Sequence, residues 1–444
     1  IGIDGGAPVA LTDRDGPDAG PVVSPDGRHI AYVGFDDQHL GYQNTRLYVM
    51  NIDGSGKRVL TGSLDRSVGS PQWSGDNTIY VQAEDGGVSK VMRVGLDGSI
   101  REVASGMGGG ELDRPYTGGD FSVSRNGVVA LTSGDALHPN QVAVASGNGA
   151  KRLTRLSSSL LDSKVLGDVQ KLPVRSSFDQ QPIDAWMVTP PDYDPAKKYP
   201  MILEIHGGPY AAYGPQFSTD DQLYAAHGYV VVYANPRGST SYGEAFANGI
   251  EKAYPGHDYD DLMSVVDAAI ATGHVDPNNL FVTGGSGGGV LTAWIVGKTD
   301  RFRAAASQKP VIDWASFVLT SDGAAYYSPY WFAKKPWEDP QGYWARSPLS
   351  LVGNVKTPTI VVVGSEDYRT PDSESEQYYT ALQLRGVPTR LVKVPGASHG
   401  GLADRPSQSA AKASAILAWF DQYRLKDSAA AASADAGASP QAAH

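Results

Sequence analysis

One serine of this chain lies in a run of glycines between two regular elements. Ser286 follows Gly284 and Gly285 and precedes three more glycines. An apolar strand pattern over 280–283 leads into the run, and a helix-forming pattern over 291–296 follows it. Gly-x-Ser-x-Gly in this context is typical of a nucleophile elbow, a sharp turn that exposes the serine hydroxyl. We therefore predict a nucleophile at Ser286; the alternative is a glycine-rich loop that only joins strand to helix.

Two candidate partners of the serine follow later strand patterns. A serine nucleophile needs a general base, and the base needs an orienting carboxylate. Glu366 and Asp367 follow an apolar run, and His399 follows the next one. In α/β-hydrolases the three residues occur in the order serine, aspartate, histidine. We predict His399 as the base and Asp367 as its orienter; Glu366 is the competing carboxylate, and a plain surface-loop histidine is the alternative for His399.

An oxyanion hole should combine the N–H after the nucleophile with one from the loop after an early strand. Gly287 follows the serine, and the sequence His206-Gly207-Gly208-Pro209 follows an apolar run. Without a side chain, Gly208 lets its N–H approach a substrate closely. We predict that the Gly208 and Gly287 N–H groups form the hole; the alternative for the early loop is a tight turn.

The elements that would position these residues alternate between strands and helices from Lys198 to about Leu425. Continuous apolar runs of this kind suit strands that are buried on both faces of a parallel sheet. Segments with apolar residues at helical spacing lie between the runs, and a closing helix follows the last one. The runs cover 201–205, 229–233, 280–283, 359–363 and 391–394. The pattern predicts an α/β fold, a doubly wound and mostly parallel sheet, over residues 156–427.

Residues 1–155 show an internal repeat of short strands. A turn followed by a strand begins at Ser24, recurs at Ser70 and recurs more weakly at Val123. A period of roughly 40 to 50 residues with several strands per repeat is typical of propeller blades, and a β-sandwich is the alternative. About three blades fit this length. Because closed propellers usually have at least four blades, we expect that part of the propeller is absent from this chain.

Composition excludes some classes of protein and leaves others open. The net charge of -11 argues against a nucleic-acid partner, and no apolar run is long enough for a membrane span. The 444 residues include no cysteine, so thiol chemistry and disulfides are excluded. We expect no metal and no cofactor. The Ala/Ser-rich segment 428–444 is predicted to be disordered, and the compartment, cytoplasmic or periplasmic in a bacterium, stays open.

Taken together, five motifs resemble the prolyl oligopeptidase family of serine peptidases, most closely its acylaminoacyl-peptidase and dipeptidyl-peptidase-like bacterial members. The motifs are His206-Gly207-Gly208-Pro209, Asn235-Pro236-Arg237-Gly238-Ser239-Thr240, the glycine-flanked Ser286, Asp367-Tyr368-Arg369-Thr370-Pro371 and His399-Gly400. The resemblance implies a catalytic α/β-hydrolase domain capped by a propeller that restricts access to short peptides. It also implies the triad Ser286, Asp367 and His399. Gly287 departs from the family, which commonly has tyrosine or another large residue there.

The resemblance adds candidates for substrate binding. Arg369 is a candidate for contacting substrate carbonyl or carboxyl groups, or else holds the Asp367 loop through a salt bridge. The segment 326–332, with Trp337, Tyr343 and Trp344, is unusually aromatic and follows Trp314. It predicts an apolar pocket for the residue before the scissile bond, with Trp314 and Phe317 as pocket residues; ordinary core packing is the alternative. Glu111 is a candidate for holding a substrate amine, with a solvated carboxylate as the alternative.

Several functions follow from these predictions. The leading one is a serine peptidase of the acylaminoacyl-peptidase or oligopeptidase type that cleaves short peptides through an acyl-enzyme. A dipeptidyl peptidase and a carboxylesterase or isopeptidase on the same scaffold are the alternatives. The non-enzymatic alternative is a propeller-based binding protein with an inactive hydrolase domain. Short peptides are the expected partners, and a homo-oligomer or a missing propeller portion is a further candidate partner.

Overall fold

The computed structural model describes residues 4–109, 111–145 and 150–425. Its first part consists of three antiparallel meanders of four strands, each of which is one propeller blade. The strands are β1 (Asp18–Val23), β2 (His29–Gly34), β3 (Arg46–Asn51), β4 (Arg58–Val59), β5 (Val68–Trp73), β6 (Thr78–Asp85), β7 (Val88–Gly95), β8 (Ile100–Met107), β9 (Phe121–Val123), β10 (Val129–Asp135), β11 (His138–Ala145) and β12 (Ala150–Arg152). The propeller predicted from the repeat is therefore present as three blades.

The repeated turn has one physical basis in the first and third blades. The Ser24 hydroxyl donates to the Asp26 carboxylate at 2.6 Å, and the Ser124 hydroxyl lies 2.6 Å from the Asn126 side-chain oxygen. The glycine that follows each pair has a φ of +71° or +82°. Such a left-handed turn favours glycine, because a Cβ would crowd the backbone there. The short polar side chains and the glycine close the turn between the first two strands of the blade.

The second part is one eight-stranded sheet with helices on both faces. Its strands are β13 (Val169–Arg175), β14 (Pro182–Val188), β15 (Tyr199–Ile205), β16 (Val230–Asn235), β17 (Val275–Gly285), β18 (Ala304–Gln308), β19 (Thr359–Gly364) and β20 (Thr389–Val394). Its helices are α1 (Ser158–Leu161), α2 (Thr219–Ala226), α3 (Glu244–Ala247), α4 (Asp258–Ala271), α5 (Gly287–Lys298), α6 (Trp314–Thr320), α7 (Ala324–Trp331), α8 (Pro340–Arg346), α9 (Asp372–Leu384), α10 (Gly401–Asp404) and α11 (Pro406–Tyr423). Short 3-10 turns cover Asn248–Ile250 and Pro348–Asn354.

The order of the strands in this sheet is β13-β14-β16-β15-β17-β18-β19-β20. The six strands from β16 to β20 are parallel, whereas β13 and β14 are antiparallel additions at one edge. Neighbouring residues serve opposite faces: Leu203 belongs to the core with Val265 of α4, and Ile202 to the core with Phe420 of α11. Burial on both faces explains the continuous apolar runs. The predicted doubly wound, mostly parallel fold is confirmed.

The exact domain limits remain a prediction. The last strand of the third blade ends at Arg152, and the first strand of the large sheet begins at Val169. The predicted limit at residue 155 falls between them, in the connecting segment that contains α1. The predicted tail 428–444 lies outside the described residues.

One segment of the propeller part lies on the second part. We call residues 108–109 and 111–120, between β8 and β9, the strap. The Thr117 N–H donates to the Ala212 carbonyl at 3.0 Å, and the Gly214 N–H donates to the Pro115 carbonyl at 2.9 Å. These ladder-like bonds fix the strap against the segment that follows β15. The strap thereby reaches the edge of the sheet where its parallel strands end.

Candidate active site

Ser286 occupies a strained turn between β17 and α5. Its φ of +59° is unusual for a residue with a side chain, and its N–H donates to the Gln308 carbonyl at 3.0 Å. The glycines around it permit close packing: a Cβ at Gly288 or Gly284 would lie 2.1 or 2.6 Å from the Ile205 carbonyl oxygen. The glycine cluster is thus required by the close approach of β15. The turn is the predicted elbow, with the serine side chain above the sheet.

Three predicted side chains lie in one hydrogen-bonded line. The Nε2 atom of His399 is 3.0 Å from the Ser286 hydroxyl, and its Nδ1 atom is 2.8 Å from the Asp367 carboxylate. Asp367 also accepts the Thr370 N–H at 2.9 Å. With Nδ1–H donated to the carboxylate, the Nε2 lone pair faces the serine hydroxyl. This is the arrangement of a serine nucleophile with its general base.

Burial and charge tune the histidine. Desolvation lowers the pKa of His399 below its ordinary value, and the hydrogen bond to Asp367 opposes that effect. The imidazole is therefore neutral near pH 7, the form that accepts a proton. Asp367 is buried, whereas its neighbour Glu366 is exposed and makes no hydrogen bond to the ring. The structure brings Asp367, and not the competing Glu366, to His399.

The two glycines predicted to supply the oxyanion donors lie close together. Gly208 has a φ of +117°, and Gly287 is the first residue of α5. A Cβ on Gly287 would lie 2.8 Å from the Gly208 carbonyl oxygen and 3.0 Å from the Tyr254 hydroxyl. The Tyr254 hydroxyl donates to the Gly287 carbonyl at 2.8 Å. The departure from the family at Gly287 therefore has a steric reason, since the neighbouring loop occupies the space of a side chain.

His206, at the start of the same loop, does not point to the serine. Its Nε2 atom is 2.9 Å from the Ser239 hydroxyl, and its Nδ1 atom is 2.7 Å from the Gly207 carbonyl. Burial lowers the pKa of His206 to about 4. A neutral, doubly hydrogen-bonded ring fixes the loop and offers no base to the site.

The strap supplies a residue that the sequence did not identify. The backbone N–H of Gly207 donates to the Tyr116 hydroxyl at 2.6 Å. The ring of Tyr116 packs edge-on against Tyr213, with centroids 4.7 Å apart. A Cβ placed on Gly207 would lie 3.0 Å from the Tyr116 hydroxyl and 3.3 Å from Cβ of Ser286. The strap therefore holds the oxyanion loop directly beside the nucleophile.

A cavity of about 550 Å³ opens over these groups. Its walls come from the strap, the oxyanion loop, the elbow, the end of β18 and the segment after His399. The lining residues are Glu111, Leu112, Asp113, Arg114, Tyr116, Gly207, Gly208, Ala211, Gly285, Ser286, Gln308, Lys309, His399, Gly400, Leu402 and Lys412. Glu111 thus lines the cavity that holds the nucleophile, although the residue as a whole is exposed. Partial desolvation and the charge of Asp113 raise the pKa of its carboxyl.

Buried ion pairs anchor the strap beneath the cavity. Arg114 lies 3.1 Å from Glu204 of β15, and it donates to the Gln308 side chain at 2.9 Å. Lys412 of α11 lies 2.8 Å from Asp113 and 2.8 Å from Asp220. Burial raises the pKa of Glu204 to about 7 against the opposing charge of Arg114. Breaking such pairs would leave uncompensated buried charges, so they fix the strap in one position.

The predicted substrate residues are not all at the cavity. Arg369 lies 2.6 Å from Asp322, so it joins the Asp367 loop to the turn before α7. Trp314 and Phe317 are buried in the aromatic core and do not line the described cavity. Trp314 packs edge-on against Tyr254, which bonds to Gly287. In this conformation their role is packing, and the pocket role stays a prediction.

Sequence patterns did point to Glu111, Arg369 and the triad, but not to Tyr116, Arg114 or Lys309.

Among the described residues, no group of three or more His, Asp or Glu side chains is arranged to hold a metal ion. Within the same part of the chain, no helix combines the length and apolar character needed to cross a membrane.

The elbow, the hydrogen-bonded triad and the doubly wound sheet define an α/β-hydrolase that carries propeller blades before its catalytic domain. Residues 215–426 match the model of the prolyl oligopeptidase family, and this part of the chain belongs to that family. The family resemblance drawn from the motifs is confirmed.

The comparisons give relatives and structural neighbours. The uncharacterized peptidase YuxL of Bacillus subtilis is 34% identical over 360 residues, which are 80% of this chain and 53% of that protein. The dipeptidyl-peptidase 5 of Aspergillus fumigatus is 29% identical over 429 residues, 92% of this chain and 57% of that protein. This chain therefore spans about half the length of the curated relatives that it matches.

A solved acylaminoacyl peptidase of Pyrococcus horikoshii superposes with a TM-score of 0.82 at 22% identity, over 94% of this chain and 64% of that one. A puromycin-hydrolyzing peptidase of Mycobacterium tuberculosis superposes with a TM-score of 0.75 at 23% identity, over 92% of this chain and 70% of that one. At these identities the likeness establishes the fold.

Proposed function

We propose that the protein is a serine peptidase that hydrolyses short peptides through an acyl-enzyme. The observation that carries the proposal is His399, hydrogen-bonded to Ser286 at 3.0 Å and to Asp367 at 2.8 Å. Because residues 215–426 match a family of peptidases, we expect the scissile bond to be a peptide bond. Activity of the acylaminoacyl-peptidase or oligopeptidase type is the leading form of the proposal.

In the proposed reaction, the Ser286 oxygen attacks the substrate carbonyl carbon while its proton passes to Nε2 of His399. The negative charge on the carbonyl oxygen is held by the N–H groups of Gly208 and Gly287. His399 then gives the proton to the leaving amine, the C–N bond breaks, and an ester with Ser286 remains. Water, deprotonated by the same imidazole, hydrolyses the ester and restores the serine.

The limited size of the cavity favours short peptides. Its volume of about 550 Å³ suits a few residues, and the strap forms one wall. We therefore expect small peptides and blocked peptide anilides to be turned over, and folded proteins to resist.

The test is a panel of p-nitroanilide peptides with blocked and free N-termini, assayed with wild type and Ser286→Ala. Turnover of blocked peptides by the wild type, and not by Ser286→Ala, would support the acylaminoacyl or oligopeptidase form. Turnover of p-nitrophenyl esters without any peptide cleavage would replace the peptidase with an esterase. Equal turnover by both proteins would remove Ser286 from the reaction.

A dipeptidyl peptidase is the second candidate, and the position of Glu111 favours it. This carboxylate lines the cavity with Ser286, where it can accept hydrogen bonds from a substrate ammonium group. In that case only peptides with a free amine would be cleaved, and Glu111→Gln would raise their KM. The exposed Glu366→Gln is the matched control, with no change expected.

A further inference from the structure

Two cationic side chains flank the residue before the nucleophile. A Cβ built on Gly285 would lie 2.6 Å from Nη1 of Arg114 and 3.3 Å from Cε of Lys309. Arg114 comes from the strap, and Lys309 follows the last residue of β18. Both line the cavity that contains Ser286. Arg114 is also paired with Glu204, so the corner beside the elbow combines a guanidinium in an ion pair with the ammonium group of Lys309.

Lys309 is held on the histidine side of the site. Its ammonium group donates to the backbone carbonyl of His399 at 2.5 Å, which leaves two further N–H donors on the same nitrogen. Its own backbone is fixed, because its N–H donates to the Val362 carbonyl and its carbonyl accepts the Thr370 hydroxyl at 3.0 Å. This contact places the ammonium group beside the residue that would protonate the leaving amine.

The electrostatic surroundings of Lys309 favour an anion. Burial, together with the charges of Arg114 and Lys412, lowers the pKa of Lys309 to about 8, against the attraction of Asp367 and Asp113. No described carboxylate lies within salt-bridge distance of its ammonium group. Glu111 shares the cavity, but burial and Asp113 raise the pKa of its carboxyl. A carboxylate that entered this corner would supply the compensating charge.

We propose that Arg114 and Lys309 form a subsite for the C-terminal carboxylate of the leaving peptide. The inference rests on the proposed peptidase function and adds a substrate class to it: peptides that end one or two residues after the scissile bond. An ammonium and a guanidinium together recognise a carboxylate by charge-assisted hydrogen bonds. The propeller strap thereby takes part in substrate selection through Arg114.

The test compares paired peptides that share one acyl part and end in either a free carboxylate or a carboxamide. The leaving group has one, two or three residues. For wild type we expect kcat/KM to be about tenfold or more higher for the acid than for the amide, and the ratio to fall with three residues. The acid/amide ratio is independent of the overall activity, so a general structural defect does not change it.

The variant Lys309→Gln should bring this ratio close to one, and Lys309→Arg should restore much of it. The exposed Lys356→Gln, whose side chain pairs with Asp300, is the matched control and should keep the wild-type ratio. Equal rates for acid and amide in wild type would overturn the proposal. So would a preference for the amide, as expected if Glu111 repelled the carboxylate, or an unchanged ratio in Lys309→Gln.

A second readout separates this inference from the proposed function. The products themselves, short peptides with a free or an amidated C-terminus, should slow the labelling of Ser286 by a fluorophosphonate. Protection by the acid and not by the amide supports the subsite even if no peptide of the panel is cleaved. Cleavage of p-nitroanilides together with equal protection by acid and amide would reject the subsite and leave the peptidase in place.

Discussion

Tyr116 of the propeller strap accepts the backbone N–H of Gly207 at 2.6 Å, and Gly207 immediately precedes the predicted oxyanion donor Gly208. A propeller residue thus holds the loop on which the proposed catalysis depends. The strap is fixed in turn by the ion pairs of Arg114 and Asp113. The position of the oxyanion loop therefore depends on the contact between the two parts of the chain.

We predict that Tyr116→Phe lowers kcat by about ten- to a hundredfold with little change in KM. The substitution keeps the ring but leaves the Gly207 N–H without its acceptor, an unsatisfied group that costs about 1–3 kcal/mol. Steady-state kinetics on a p-nitroanilide peptide measures the effect. Tyr229→Phe, which removes a hydroxyl bonded to Asp421, is the control and should keep wild-type kinetics. A normal kcat in Tyr116→Phe would show that the loop holds its position unaided.

We predict that Gly287→Ala slows acylation at least tenfold. The new Cβ would lie 2.8 Å from the Gly208 carbonyl oxygen, so the two proposed oxyanion donors must move apart. Loss of one such donor costs about a hundred- to a thousandfold in kcat. Gly353→Ala, where an added Cβ meets no atom within 4 Å, is the matched control. Acylation rates are read by stopped-flow burst kinetics, and equal rates in the two variants would contradict the steric account.

We predict that Asp367→Asn lowers kcat by about a thousandfold or more, as loss of the orienting carboxylate does in serine triads. The neighbouring Glu366→Gln should stay within about twofold of wild type, because the Glu366 side chain is exposed and makes no hydrogen bond to His399. The same p-nitroanilide assay measures both variants. A large loss in Glu366→Gln with a small one in Asp367→Asn would exchange the two assignments.

We predict that kcat/KM falls on acidification with a midpoint below pH 6.5. The base must be neutral, and burial lowers the pKa of His399 below its ordinary value of 6.5, so the imidazole becomes protonated only at lower pH. Above that pKa the rate should reach a plateau. The measurement is kcat/KM for a neutral blocked anilide between pH 4 and pH 8. An acid limb centred above pH 6.5 would mean that Asp367 outweighs desolvation.

The sequence predicted the site where the chemistry is local and missed it where tertiary contacts create it. Ser286, Asp367 and His399 could be found because each follows a strand pattern in a fixed order. Tyr116 could not, since it reaches Gly207 only after the strap folds onto the segment behind β15.

The amino-acid composition of two segments also limited what the sequence could predict. The strand β18 (Ala304–Gln308) was not predicted, because its alanines lack the β-branched residues that favour strands, and only its central position in the sheet explains it. In the aromatic stretch, Trp314 and Phe317 are buried, whereas Tyr326, Trp337 and Trp344 are exposed. Its pattern alone does not distinguish a core from a pocket.

The most direct test of the account is the reaction with a fluorophosphonate probe, followed by intact-mass and peptide-mass measurements on wild type, Ser286→Ala and Ser365→Ala. We predict one adduct on the peptide that contains Ser286 in wild type and Ser365→Ala, and no adduct in Ser286→Ala. Labelling that persists in Ser286→Ala, or wild type that does not react, would contradict the claim that Ser286 and His399 form an activated nucleophile.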